Sequence, residues 1–264
     1  MQWWLTYLGI GLAVGFFAGL LGIGGGAVLV PVLVFAFAAQ GLAPEHVVHM
    51  ALGTSMATIV FTSVSSMRAH HAHGAVDGAI ARAMAPGILT GSFGAALLAG
   101  LIEKRPLALM FTVLVFYAAT QMLFDLRPKH TRELPGAAGL FAAGSLIGGV
   151  ASLLAAGGAF MCIPFLAWCS VPLRRAIGTA AAVGLPIAMA GTLGYAIQGL
   201  RVEGLPPYSI GFVYLPAMAL VVATSMLAAP LGARIAHRLP VKRLRVIFAL
   251  LLYVLATRML VSLW

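Results

Sequence analysis

GFFAGLLGIGGGAVLVPVL, residues 15–33, is apolar enough for a bilayer, yet Gly22, Gly24, Gly25 and Gly26 interrupt it and Pro31 follows. Inside hydrocarbon an unpaired backbone N–H or C=O costs several kcal/mol. Broken backbone is therefore tolerated there only where protein or a water-filled cavity surrounds it. The same pattern returns at residues 148–166, GGVASLLAAGGAFMCIPFL. A shift of 133 residues superposes Gly15 on Gly148, Ala18 on Ala151, Leu20-Leu21 on Leu153-Leu154, Gly24-Gly25 on Gly157-Gly158, and Pro31 on Pro164. Two interrupted apolar segments at matching positions of two halves point to a binding site where the halves meet.

The composition agrees with a membrane protein. Of 264 residues, 62% are hydrophobic and 8% charged, and the mean hydropathy is +1.05. A soluble domain carries about 25% charged residues. A net charge of +10 would suggest nucleic acid in a soluble protein. In a membrane protein it reflects basic residues gathered in cytoplasmic loops, and no nucleic-acid partner is expected. The first residues, MQWWLTYLGIGLAVGFF, lack a basic stretch before the apolar run, which reads as a retained first span rather than a cleaved signal. Trp3 and Trp4 suit an interfacial anchor. Cys162 and Cys169, if helical, stand about 10 Å apart along the axis, too far for a disulfide.

Working outward, a span needs about 20 apolar residues. The first half then reads as a span at 3–21, the glycine break, and a short apolar segment at 27–39. A third segment at 48–67 is rich in Gly53, Thr54, Ser55, Thr58, Thr62 and Ser63, and a polar loop at 68–77 carries His70, His71 and His73. Spans at 78–101 and 107–124 follow, and the most polar stretch, 125–135, joins the halves. The second half repeats the order: 137–154, a break, 160–170, 176–198, 208–239 and 244–262. Gly178-Thr179 answer Gly53-Thr54, Lys242-Arg243 answer Lys104-Arg105, and ATRML answers ATQML at 119–123. We read an all-α polytopic membrane protein of two inverted repeats, residues 1–126 and 136–264, linked by 127–135. It has about eight to ten membrane segments, including the glycine-broken helices, discontinuous or re-entrant.

Orientation follows from Lys and Arg. If each broken pair crosses twice or dips in and returns, loops 68–82, 125–134, 170–175 and 234–245 share one side and hold twelve of the sixteen basic residues. If each broken segment crosses once, the bias largely disappears. The positive-inside rule therefore favours the inverted arrangement with both termini on the periplasmic side.

All six carboxylates, Glu45, Asp77, Glu103, Asp125, Glu133 and Glu203, fall in or beside these loops. That disfavours a proton pump, a cation channel with a buried acid, and an enzyme using paired carboxylates. What remains for recognition is backbone and hydroxyls. Each break opens a helix N-terminus, at Gly25–Ala27 and at Gly158–Phe160, the latter including Ala159, with free N–H groups and about half a positive charge. Two facing ends suit one small monoanion, with Thr54, Ser55 and Thr179 as hydroxyl donors. Glycine and serine also let transmembrane helices approach closely, so packing is the competing account of each. The histidines offer a metal-binding alternative through His70, His71, His73 and His237, or a titrating group at His49.

On GFFAGLLGIGGGAVLVPVL, on ALGTSMATIVFTSVSSMRAHHAHGAVD, on APGILTGSFGAALLAG, and on their second copies AAGGAFMCIPFL, AIGTAAAV and APLGARIA, the chain resembles the sulfite exporter TauE/SafE family of membrane permeases. The resemblance covers nearly the whole length. It implies a bacterial inner-membrane transporter, without cofactor, of a small sulfur-containing anion such as sulfite, sulfoacetate or another organosulfonate. The residues carried over are Gly24, Gly25, Gly26, Thr54, Ser55, Gly157, Gly158 and Thr179. The second half departs from the first: Ala155-Ala156 replace Gly22-Ile23 and Ala159 replaces Gly26, so the second break is expected to be stiffer. The rival readings are a carrier of carboxylates or of metal ions, and, in another class, a membrane enzyme or a sensor of sulfur metabolism. Two cysteines without buried acids argue against the enzyme, and the absence of room for a soluble domain argues against the sensor. The sequence leaves the oligomeric state open, a homodimer included.

Overall fold

The computed structural model describes residues 2–21, 26–124, 132–155, 157–236 and 241–261. Among these the chain is helical apart from one short hairpin. The first half comprises α1 (Gln2–Leu21), α2 (Gly26–Ala39), α3 (Val47–Ala72), α4 (Gly78–Ala99) and α5 (Lys104–Phe124). The second comprises α6 (Ala137–Leu153), α7 (Ala159–Trp168), α8 (Leu173–Gly199), the strands β1 (Ser209–Ile210) and β2 (Val213–Tyr214), α9 (Leu215–Ala236) and α10 (Val241–Val261). Three helices, α3, α5 and α8, are long and apolar enough to cross a membrane, and shorter apolar helices accompany them.

Two boundaries differ by five residues or more from those read in the sequence. Helix α3 continues through Arg68, His70 and His71, which the polarity of that stretch suggests is loop. Its last turns emerge from the bundle, where polar side chains are solvated and helix propensity prevails. Residues 208–214 form the hairpin rather than the start of a span. Ser209 pairs with Tyr214 and Ile210 with Val213, around Gly211 at φ +55°.

The broken pairs dip in and return. Tyr7, near the start of α1, packs edge-on against Phe37 near the end of α2, with ring centroids 6.2 Å apart. Gln40, just past α2, donates to the Tyr7 hydroxyl at 2.5 Å. The second half does the same: the Arg132 N–H, ahead of α6, donates to the Trp168 carbonyl at the end of α7. The Arg132 guanidinium lies 4.8 Å over the Trp168 ring. At 14 and 10 residues, α2 and α7 are about 21 and 15 Å long, short of a 30 Å hydrocarbon core.

The halves are interleaved. Helix α1 packs on α9, and α6 packs on α4. Both contacts are close because glycines face backbone: a Cβ at Gly15 would lie 2.4 Å from Cα of Ser225, and one at Gly148 2.7 Å from the Ile88 carbonyl oxygen. The long helices α3 and α8, which correspond in the two halves, run antiparallel in the middle. Gly53 stands beside Tyr195, Met56 beside Gly191, and Ser63 beside Gly184. The core therefore lies between two long helices of opposite direction.

Candidate functional site

The two breaks meet. A Cβ on Gly26, the first residue of α2, would lie 1.7 Å from the Ala155 carbonyl oxygen and 2.6 Å from Cδ1 of Ile59. Only hydrogen fits between α2 and the second break. Ala155 sits in the left-handed region at φ +44°, a conformation that costs a non-glycine residue about 1–2 kcal/mol. Gly158 follows at φ +74° as the N-cap of α7, with no side chain capping that helix. The chain on this side of the junction is thus held in left-handed backbone at Ala155 and Gly158, one with a Cβ and one without.

Depth follows from the long helices. Ile59, which touches both Gly26 and Gly157, is central in α3. Gly184 and Ile187, which meet Gly157 and Gly158, are central in α8. Along α3, Ser55, Ile59 and Ser63 recur every four residues and form one stripe. Along α8, Gly184, Ile187 and Gly191, three and four residues apart, form another. The site lies between these stripes at mid-depth, with the N-termini of α2 and α7 converging on it.

Two hydroxyls on the helices that flank this junction are buried without a hydrogen-bond partner. Ser55 Oγ belongs to a residue of zero exposure. Ser152 Oγ, from α6 one turn before the second break, is equally enclosed and lies against Gly191, beside Met56. An unsatisfied buried hydroxyl costs about 1–3 kcal/mol. The described carboxylates stand elsewhere: Asp77 caps α4 by accepting from the N–H groups of Ala79 and Ile80, and Glu45, Glu103, Glu133 and Glu203 lie outside the helices. The positive ends of two helices and free hydroxyl groups, without acids, form an environment that favours an anion.

Of the residues singled out in the sequence, Gly24 and Gly25 lie outside the described residues. Gly26, Gly157, Gly158 and Ala159 come together at the junction, and Ser55 lies one turn along α3 from Ile59. Thr54 and Thr179 stand apart, each five residues from Ile59 or Gly184, about 7.5 Å along its helix. Their hydroxyls serve another purpose. Thr54 Oγ1 accepts the backbone N–H of Tyr214 at 3.0 Å, and Thr179 Oγ1 accepts that of Asp77 at 3.0 Å. The glycine before each threonine makes room: a Cβ at Gly53 would lie 2.7 Å from the Phe212 carbonyl oxygen, and one at Gly178 2.3 Å from that of Ala75. Each Gly-Thr pair therefore holds the opening segment of a helix in the other half, one at the hairpin end of the bundle and one at the opposite end.

Sequence reading missed Ser152, Ile59, Gly184 and Gly191. The only available signal was Ser152, a hydroxyl in an apolar run beside the second break. Among the described residues no group of three His, Cys, Asp or Glu gathers to hold a metal ion, and His237 lies outside them. Cys162 and Cys169 are both free and buried.

A family model described as sulfite exporter TauE/SafE matches residues 7–259. A probable membrane transporter protein of Haemophilus influenzae is 35% identical over 257 residues, covering 97% of each chain. Further probable membrane transporter proteins are similar: one of Methanocaldococcus jannaschii at 25% identity, covering 95% of this chain and 93% of its own, and one of Bacillus subtilis at 26%, covering 86% and 87%. No solved structure matches the chain. The chain belongs to the sulfite exporter TauE/SafE family.

Proposed function

We propose that this member of the TauE/SafE family carries a small sulfur-containing oxyanion, sulfite or an organosulfonate such as sulfoacetate, across the bacterial inner membrane. The observation that carries the reading is the meeting at mid-depth of the start of α2 with the second break, where two helix N-termini lie near the buried, unpartnered hydroxyl of Ser152 and one turn of α3 from that of Ser55, with no described carboxylate among them. The antiparallel pairing of α3 with α8 supports an inverted repeat, and with it transport by rocking of one half against the other. Binding is tested by thermal shift of the purified protein with sulfite, sulfoacetate, acetate and nickel. A ligand that binds only the folded state raises the melting temperature with concentration. Stabilisation by the sulfur anions and not by acetate is the expected result. Stabilisation by acetate alone would transfer the reading to carboxylates, and by nickel alone to a metal carrier.

The return of each broken pair to its own side also supports the orientation that places twelve Lys and Arg together and the termini in the periplasm. Cysteine labelling checks it with little background, because both native cysteines are buried. A membrane-impermeant thiol reagent added to intact cells should label Glu203→Cys, an exposed position near the hairpin, and spare His71→Cys at the exposed end of α3. The reverse pattern would invert the topology.

A further inference from the structure

A polar cavity lies away from the mid-depth junction, at the hairpin end. It measures about 660 Å³ and is lined by Glu45, His46, His49 and residues 100–105, including Glu103, Lys104 and Arg105. Its floor is built. His49, in the first turn of α3, is 2% exposed. Its Nε2 lies 2.9 Å from the Ile102 carbonyl oxygen and 3.2 Å from that of Ala99. Both neighbours are acceptors, so Nε2 carries the hydrogen. Phe212 of the hairpin stacks on the ring at 5.0 Å and 29°, fixing its plane. The other ring nitrogen, Nδ1, is buried with no partner. A neutral ring in this tautomer offers a lone pair there, a place for one proton.

We propose that this cavity binds a small oxyanion together with one proton, the proton being held on Nδ1 of His49. The charges lining the cavity argue for the pairing. Glu45 and Glu103 oppose Lys104 and Arg105, so the empty cavity carries no net formal charge. An anion entering alone would leave it negative. An anion entering with a proton on His49 leaves it neutral. The side chain of Lys104 already donates to the Pro44 carbonyl, which pins the start of α5, a helix of 21 residues, against the segment leading into α3. The groups around His49 are therefore His46 with Glu45 from that segment, Glu103, Lys104 and Arg105 from the α4–α5 link and α5, uncharged Phe212 from the hairpin, and Tyr195 of α8 beside Gly53 one turn along. His46, with its ring 5.6 Å from that of His49, is close enough that two charged imidazoles would repel, which limits uptake to one proton. This site is separate from the mid-depth junction and does not depend on it.

The test uses methanesulfonate, which keeps one negative charge across the working pH range, so any pH dependence comes from the protein. Isothermal titration of the purified full chain near pH 7, in buffers of differing ionisation enthalpy, counts protons taken up per anion bound. The expected result is uptake approaching one proton, with affinity falling up to about tenfold per pH unit on the alkaline side. His49→Gln, which can still donate to Ile102, should abolish the uptake. Lys104→Ala with Arg105→Ala, which removes both cations lining the cavity, should weaken the proton-linked phase at least tenfold. Ser55→Val, at the mid-depth junction, should leave that phase intact. Absence of proton uptake in the native protein overturns the proposal. Uptake that survives His49→Gln, or that His46→Gln removes while His49→Gln does not, overturns the assignment to His49. Loss with Ser55→Val places the proton-linked event at mid-depth instead.

Discussion

Gly26→Val is expected to lower transport about a hundredfold while leaving membrane insertion intact. The reason is spatial. The new Cβ would sit 1.7 Å from the Ala155 carbonyl oxygen, about half an ordinary contact distance, and the obstacle is backbone rather than a side chain that can swing aside. Ala155 is already in a left-handed conformation, so the second break has little freedom to retreat. Overpacking of this kind costs about 1–3 kcal/mol or more, and about 2.7 kcal/mol corresponds to a hundredfold. Neither α2 nor α7 is long enough to span the membrane, so insertion of the long helices does not depend on their close approach. Gly94→Val on α4 is the matched control, because a Cβ there meets nothing within 4 Å. Uptake into vesicles at equal protein levels measures the effect. Equal activity of the Gly26 and Gly94 variants would remove the junction of the breaks from the transport path.

The second large effect concerns Thr54 and Thr179. Each hydroxyl accepts a backbone N–H from the other half, Tyr214 at the hairpin end and Asp77 at the opposite end. Valine keeps the shape and removes the acceptor, leaving a partly buried N–H unpaired at about 1–3 kcal/mol. Because the two bonds close opposite ends, the two substitutions should bias the protein in opposite directions, by roughly 5- to 150-fold in population. A cysteine at Ser55 reports which end is open. Thr54→Val should raise its labelling by an impermeant reagent from the hairpin side, and Thr179→Val from the other. Thr54→Ser, which keeps the acceptor, should behave as the native protein. If both valine variants shift labelling the same way, the two hydrogen bonds are general stabilisers and not end-specific latches.

The histidines show how a composition signal can scatter once folded. His70, His71 and His73 are close in the chain. Yet His70 and His71 end a helix, while His73 turns its Nδ1 to the Ala69 carbonyl at 2.7 Å and lends its own carbonyl to Arg174 at 2.9 Å. The less conspicuous pair, His46 and His49, is gathered by the hairpin, which the apolar run at 208–214 concealed. A β-hairpin of two residues a side has too little alternation to stand out in a hydrophobic sequence.

The sequence by itself determined the membrane class, the position of both breaks and, among the described residues, the absence of acids within the helices. Each follows from local properties, hydropathy, glycine placement and charge, which act before any long-range contact forms. Only the tertiary structure decided that the broken pairs return to their own side, since a glycine break permits either course and the choice rests on contacts such as Tyr7 with Phe37 and Arg132 with Trp168. It also decided the division of labour between neighbours: Ser55 is buried with its hydroxyl free, while Thr54, one residue away, turns about 100° around the helix and binds the other half. Composition cannot separate these two residues, because which face of α3 meets the second repeat is fixed by packing across the antiparallel pair α3 and α8.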